Sequence, residues 1–268
     1  MKARYPTFDF DEVSPRWSPN GEMAQQYNAA SIVPSHIEPY LVRVMLRALP
    51  EVGKRNPELA RDIELFNKQE VEHAKRHNAF NRMLRDKGYT GLTAFEKRLA
   101  GDYKRFFEKK SLKFNIAYSE GFEAIGSSNA ETFFAVLPLL EKAADPEALA
   151  LWKWHLAEEF EHRHVCYEVY RCLYGQGVTR GYFYRCYGYL YAHFHLSCFM
   201  KAVADYLIAT DRAGMPPEKR EKSKARVKRY RRMTLLRDLK NALAILSPFY
   251  DPSRKSHNIA MSEYLKGI

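Results

Sequence analysis

A chain of 268 residues, 46% hydrophobic and 28% charged, is long enough for a sizeable core and is neither a disordered chain nor a membrane bundle. Its 43 Lys and Arg against 32 Asp and Glu leave a net charge of +11, a sign that favours acidic partners. Cys166, Cys172, Cys186 and Cys198 form no Cys-x-x-Cys, which excludes a zinc ribbon or thioredoxin-type pair, and Met1 to Pro6 lacks the apolar run of a secretory signal, so a cytoplasmic location is the default expectation.

In chain order, residues 1–33 carry Pro6, Pro15, Pro19 and Gly21 among scattered aromatics without a period, and read as an N-terminal arm. From residue 34 to 268 the periodicity is helical, and no alternating apolar–polar run argues for a strand. Helices are expected over 35–49, 56–87, 92–108, 111–143, 146–174, 180–210 and 217–246, with Pro or Gly breakers between them. Long helices on short connections predict antiparallel neighbours: an all-α bundle forming one helical domain, 34–268. The charge-free stretch from Cys186 to Met200 is shorter than the ~20 residues that span a bilayer, so no transmembrane segment is expected. A helix lying on a membrane surface stays open. Residues 217–232 hold nine Lys or Arg and two Glu, opening a basic C-terminal helix (217–246). It reads either as a solvated helix face or as a docking surface for an acidic electron-transfer or carrier protein or for anionic lipid; without an accompanying motif, nucleic acid is not an expected partner.

Two words carry the chemistry: FNKQEVEHAKRH (66–77) and WHLAEEFEHRH (154–164), each with Glu-x-x-His in a helical pattern. On a helix, positions i and i+3 lie about 60° apart, so a carboxylate and an imidazole at that spacing can hold one metal ion. Two such helices, with one Glu from each of two others, make the di-iron or di-manganese carboxylate pattern of a four-helix bundle. Helical phase puts Glu70, His73 and His77 on the apolar stripe with Leu59, Ile63, Phe66 and Phe80, and leaves Glu72 outside. In the second word it favours Glu159 and His162, with His155 one turn earlier, over Glu161 and His164. The remaining carboxylates are expected from preceding helices: Glu38, placed in a first helical turn by Pro39, and either Glu120 or Glu123.

The word FNKQEVEHAKRHNAFN resembles the signature of a bacterial family labelled "predicted metal-dependent hydrolase", ferritin-like in fold. The family's Glu beside a Pro is matched by Glu38, its Glu-His-Phe-Thr-Ala by the altered Glu120-Gly-Phe-Glu-Ala124, and its late segment by LSPFYDPSRKSHN (246–258). The resemblance implies Glu120 rather than Glu123 as the third-helix ligand. The spacing His155-x-x-x-Glu159-x-x-His162 is also similar to that of p-aminobenzoate N-oxygenase-type di-iron proteins. That analogy implies the ligand set Glu38, Glu70, His73, Glu120, His155, Glu159 and His162, with His77 behind His155 or in its place.

Such ligands suit two Fe ions, or alternatively Mn or Zn. The expectation is a ferritin-like bundle with additional C-terminal helices, acting as a di-iron oxygenase or oxidase that uses O₂ to oxidise a small apolar or aromatic substrate. The alternative is a metal-dependent hydrolase using a metal-bound water. Aromatics such as Phe114, Tyr118, Phe122, Phe133 and Phe134, and those from Tyr182 to Phe199, are mostly core, with some expected to line a substrate pocket. A homo-oligomer is the default assembly.

Overall fold

The computed structural model describes residues 1–255 and 258–268, with the backbone only at 178 and 179. Among these residues there is no strand. The α-helices are α1 (Gly21–Ser31), α2 (Pro34–Arg55), α3 (Pro57–Asp86), α4 (Leu92–Lys109), α5 (Leu112–Leu140), α6 (Pro146–His162), α7 (Val165–Tyr174), α8 (Phe183–Ala213), α9 (Pro217–Ile245) and α10 (Ile259–Lys266). A π-turn, Val178–Tyr182, leads into α8. The fold is an all-α bundle. Of the late segment 246–258, residues 256 and 257 lie outside the described residues.

Local chemistry sets the helix starts. The side chains of Asn20, Asn56, Ser111, Asp145 and Asn258 each accept a backbone N–H in the first turn of the helix that follows. Pro57, Pro146 and Pro217 occupy first helical positions, where a missing N–H costs nothing.

The arm expected over 1–33 ends in a helix, α1. Its buried positions include Glu22, Gln25, Asn28 and Ser31, so no apolar period marks it. The rest of the arm is part of the core, where Phe10, Val13 and Trp17 are buried and Phe10 meets Phe80 edge-on at 5.2 Å. Helix α2 begins at Pro34, so Pro39 and Glu38 stand beyond its first turn, and it runs on through Pro50 to Arg55. The bond lost at Pro50 frees the carbonyl of Leu46, a 53% exposed residue where water can replace it. The helix expected over 146–174 breaks after His162, where the Arg163 guanidinium donates to the Phe160 carbonyl at 2.5 Å and to that of Pro252 at 2.9 Å.

Helices α2, α3, α5 and α6 surround the buried polar cluster described below. Helix α8 lies close against α5, because a β-carbon at Gly188 would collide with Ala117 and one at Gly121 with the Tyr189 backbone. Helix α9 lies outermost, with only Ser223, Val227 and Ile245 buried among its 29 residues.

Candidate metal centre

The stripe Leu59, Ile63, Phe66, Glu70, His73, His77, Phe80, Leu84 of α3 is buried throughout, as are Trp152, His155, Glu159 and His162 of α6. The 3.6-residue period therefore carries the carboxylates and imidazoles into the bundle with the apolar side chains.

Inside, two groups form. Glu38, His73, His155 and Glu159 offer ligand atoms within 4.8 Å of one another, and so do Glu70, Glu123, Glu159 and His162. Glu159 belongs to both. His162 Nε2 lies 3.3 Å from Glu70 Oε1, 3.3 Å from Glu123 Oε2 and 3.6 Å from Glu159 Oε1. His73 Nδ1 lies 3.6 Å from Glu70 Oε1 and 3.9 Å from Glu38 Oε1.

Both oxygens of Glu38, Glu70, Glu123 and Glu159 are buried without a hydrogen-bond partner, as are His73 Nδ1 and His162 Nε2. An unpaired buried carboxylate costs several kcal/mol, and four converging ones also repel. Two divalent cations would balance four carboxylates and use the orphaned atoms as ligands, so the donor set fits a two-metal centre. Gly126 of α5 supports the same arrangement, because a β-carbon there would overlap Glu159 Oε2.

The electrostatics follow from this crowding. Burial, then the charges of Glu70, Glu159 and Glu123, push the Glu38 carboxyl well above its ordinary value. Glu123 is raised well above its own by burial and Glu159, and Glu70 is raised mainly by burial. Burial acts in the same direction on Glu159, but the imidazoles of His162, His155 and His73 outweigh it and hold that group at about 2. His73 is opposed by burial yet lifted to about 9 by its hydrogen bond with Glu158 and the nearby Glu70 carboxylate. His155 falls to about 3 through burial and the charge of His73.

A further ring of contacts orients the imidazoles. His73 Nε2 meets Glu158 Oε2 at 3.0 Å, which leaves Nδ1 facing the cluster. His162 Nδ1 donates to Gln69 Oε1 at 3.0 Å, and Gln69 Nε2 donates to Glu161 Oε2 at 2.8 Å. Arg4 closes both paths: its Nη1 donates to Glu158 Oε1 at 2.9 Å and to Glu161 Oε2 at 3.1 Å. His77 stands behind His155, with Nε2 3.0 Å from His155 Nδ1 and Nδ1 2.8 Å from Ser31 Oγ. His155 is thereby left with Nε2, 3.5 Å from Glu159 Oε1.

Several expectations need correction. On α5 it is Glu123 that joins the cluster; Glu120 instead accepts from Arg185 Nη1 at 3.0 Å. Glu72 is not solvated but buried against Lys75 and Arg76. Glu161 is only half-buried, yet it belongs to the ring behind His162. Glu158, Gln69, Arg4 and Gly126 received no role from the sequence. Gln69 stands beside Glu70 in the signature word, the one signal that could have found it. Nothing local marks Arg4, 154 residues from Glu158.

A cavity of about 270 Å³ lies along α6, lined by Trp152 and Leu156 there, Ile125 and Ser128 of α5, and Tyr27 of α1. Trp152 and Leu156 share a helical face with His155 and Glu159, although none of the clustered carboxylates and imidazoles lines the cavity itself. Of the aromatics singled out in the sequence, Tyr189 lines it, whereas Phe114, Tyr118 and Tyr191 pack on one another.

A family model described as "Predicted metal-dependent hydrolase" matches residues 2–256. No curated protein and no solved structure matches the chain.

Proposed function

This chain belongs to the predicted metal-dependent hydrolase family, and on that premise we propose that it hydrolyses a small molecule at a two-metal carboxylate–histidine centre. The single observation that carries the reading is the set of eight carboxylate oxygens on Glu38, Glu70, Glu123 and Glu159, buried together without partners. Glu38, His73 and His155 would hold one ion and Glu70, Glu123 and His162 the other, with Glu159 belonging to both groups. When bound, such ions supply Lewis acidity and lower the pKa of water toward neutrality. Zn, Mn and Fe all suit mixed oxygen and nitrogen donors.

The residues of the chain divide the remaining work. Glu158 and Gln69 hold His73 and His162 with one ring nitrogen each toward the ions. Gly126 leaves room for the shared carboxylate of Glu159. Trp152, Leu156 and Ile125 give the cavity an apolar wall that would receive the substrate, on the face of α6 that also carries Glu159.

A second reading draws on the same donors. Four carboxylates and three imidazoles from four helices, with Glu70-x-x-His73 and Glu159-x-x-His162 on two of them, form the ferritin-like pattern used for oxygen chemistry. In that reading the centre holds iron, an apolar or aromatic substrate is oxidised with O₂, and an acidic electron carrier supplies reducing equivalents.

One experiment separates the two. Protein stripped of metal and reloaded with Zn²⁺, Mn²⁺ or anaerobic Fe²⁺ is assayed on ester, amide and phosphoester panels and for O₂ uptake. Hydrolysis that requires about two ions per chain, and is lost with both ions in Glu159→Ala, is the expected result. Turnover of none of the panels, with O₂ uptake by the ferrous form, would overturn hydrolysis in favour of the second reading.

A further inference from the structure

Helix α9 is built inside out. A surface helix ordinarily turns its leucines to the core and its polar residues to water. Here Tyr230, Thr234, Arg237, Asp238 and Asn241 face inward and line the cavity along α6. The apolar side chains face solvent: Met233 is 65% exposed, Leu235 65%, Leu236 74%, Leu239 55% and Leu243 64%. At about 100° per residue, Leu236, Leu239 and Leu243 form one stripe, and Arg229 and Arg232 continue it toward the N-terminus. Among the described residues nothing covers this stripe, and an exposed apolar face of this kind marks an interaction site.

Charge decides what covers it. Helix α9 carries eleven Lys or Arg against three Asp or Glu, nine of those cations between Lys219 and Arg232, so the leucine stripe continues directly into a strongly basic segment that favours an anionic partner. Beside the stripe, α9 and the end of α8 enclose a groove of about 450 Å³ lined by Arg212, Lys224, Lys228, Arg231 and Arg232, with Leu235 at its edge. Arg231 and Asp205 pair across it at 2.5 Å. Arg212 spends Nε on Ser223 Oγ at 2.9 Å, while its buried Nη2 has no partner. A cationic groove next to leucines that need a nonaqueous phase matches an anionic headgroup above an acyl layer. No described helix is long and apolar enough to cross a membrane, so the contact is with the surface.

We propose that α9 docks the protein peripherally on an anionic phospholipid bilayer, with Leu236, Leu239 and Leu243 in the acyl boundary and the Arg212–Arg232 groove on phosphate headgroups. The opposite face of α9 lines the cavity, so the docked helix would lie between that cavity and the bilayer. The proposal does not depend on the metal or on hydrolysis.

The test is co-sedimentation of the full-length protein with vesicles of phosphatidylcholine alone or mixed with phosphatidylglycerol. Binding to the mixed vesicles only, weakening with added salt, is expected. Lys228→Gln/Arg231→Gln/Arg232→Gln should weaken it on the order of 100-fold. Leu236→Ser/Leu239→Ser/Leu243→Ser should weaken it at least about tenfold while the metal content and circular dichroism stay unchanged. The proposal is overturned by absence of binding at low salt, or by binding that the leucine variant leaves intact. It is equally overturned by a wild-type dimer that the leucine variant dissolves without any vesicle binding.

Discussion

Helices α6 and α9 both carry dense charge, and they place it oppositely. Twelve of the 17 residues of α6 are buried, including His155, Glu158, Glu159 and His162, whereas α9 buries three of 29. Water solvates the cations of α9, and the short ion pairs along it, such as Lys222 with Glu218, are worth little. The charges of α6 have no water to meet them, so each must find a counter-charge. Glu158 finds Arg4 and His73, while Glu159 finds only imidazoles and other carboxylates. Charge is thus a solvated, mostly cationic coat in one helix and a buried group of carboxylates and imidazoles in the other.

Metal removal and pH break this contrast most strongly. In the metal-free protein His73 is raised to about 9, and His162 is raised well above its ordinary value by Glu123 against the opposing effect of burial. A histidine held protonated in the fold contributes stability that is complete below its unfolded pKa of about 6.5 and lost as pH rises through the folded value. The raised carboxyls of Glu38 and Glu123 act in the same sense. Chemical denaturation of the stripped protein should therefore show stability falling from about pH 6.5 to 9, by roughly 1.4 kcal/mol per pH unit for each proton released. Metal-loaded protein should lack this slope, because metal takes the place of those protons. A flat profile for the stripped protein would mean that the cluster is not protonated as its geometry requires.

The next largest effect is expected at Arg4, which reaches the charged residues of α6 from the N-terminal arm. Its Nη1 serves both Glu158 and Glu161, so one side chain steadies the partners of His73 and, through Gln69, of His162. Arg4→Ala should speed the loss of metal to a chelator by about 10- to 100-fold, with Arg4→Lys recovering only part of it for want of the guanidinium fork. Arg76→Ala is the control: Arg76 holds the same arm through the Pro6 carbonyl at 2.9 Å but touches neither relay. Equal loss in both variants would assign the effect to the docked arm rather than to the charge of Arg4.

The legible part of this architecture was the part written with a period. The Glu-x-x-His words and the apolar stripes around them point Glu70, His73, Glu159 and His162 inward without reference to any other helix. Helix α1 escaped because its buried face is Glu22, Gln25, Asn28 and Ser31, whose partners come from distant elements such as Trp17 and His77. The break after His162 rests on a side chain bonding backward to a carbonyl, which leaves no trace in hydropathy. The basic character of α9 was legible too, but its direction was not: leucines at helical spacing normally announce a core, and only the packing shows them facing water.

The choice between Glu120 and Glu123 could not be made from α5 alone, since two positions three apart lie on nearly the same face. Arg185 of α8 makes it. Its Nη1 takes Glu120 at 3.0 Å and its Nη2 donates to the Ile245 carbonyl at 2.6 Å, so this pair ties the bundle to the C-terminal end of α9. That cation sits where unsatisfied helix carbonyls favour positive charge. Glu120→Gln keeps an acceptor for Arg185 and removes only the counter-charge, so metal content should stay at the wild-type value. Stability should fall by about 1–3 kcal/mol, and amide exchange should quicken around 242–246 as the end of α9 loosens. Glu123→Gln, the same chemical change one turn along, should lower metal content and leave exchange at the end of α9 as it was. If the two variants exchange these outcomes, Glu120 is the ligand and Arg185 yields it when metal binds.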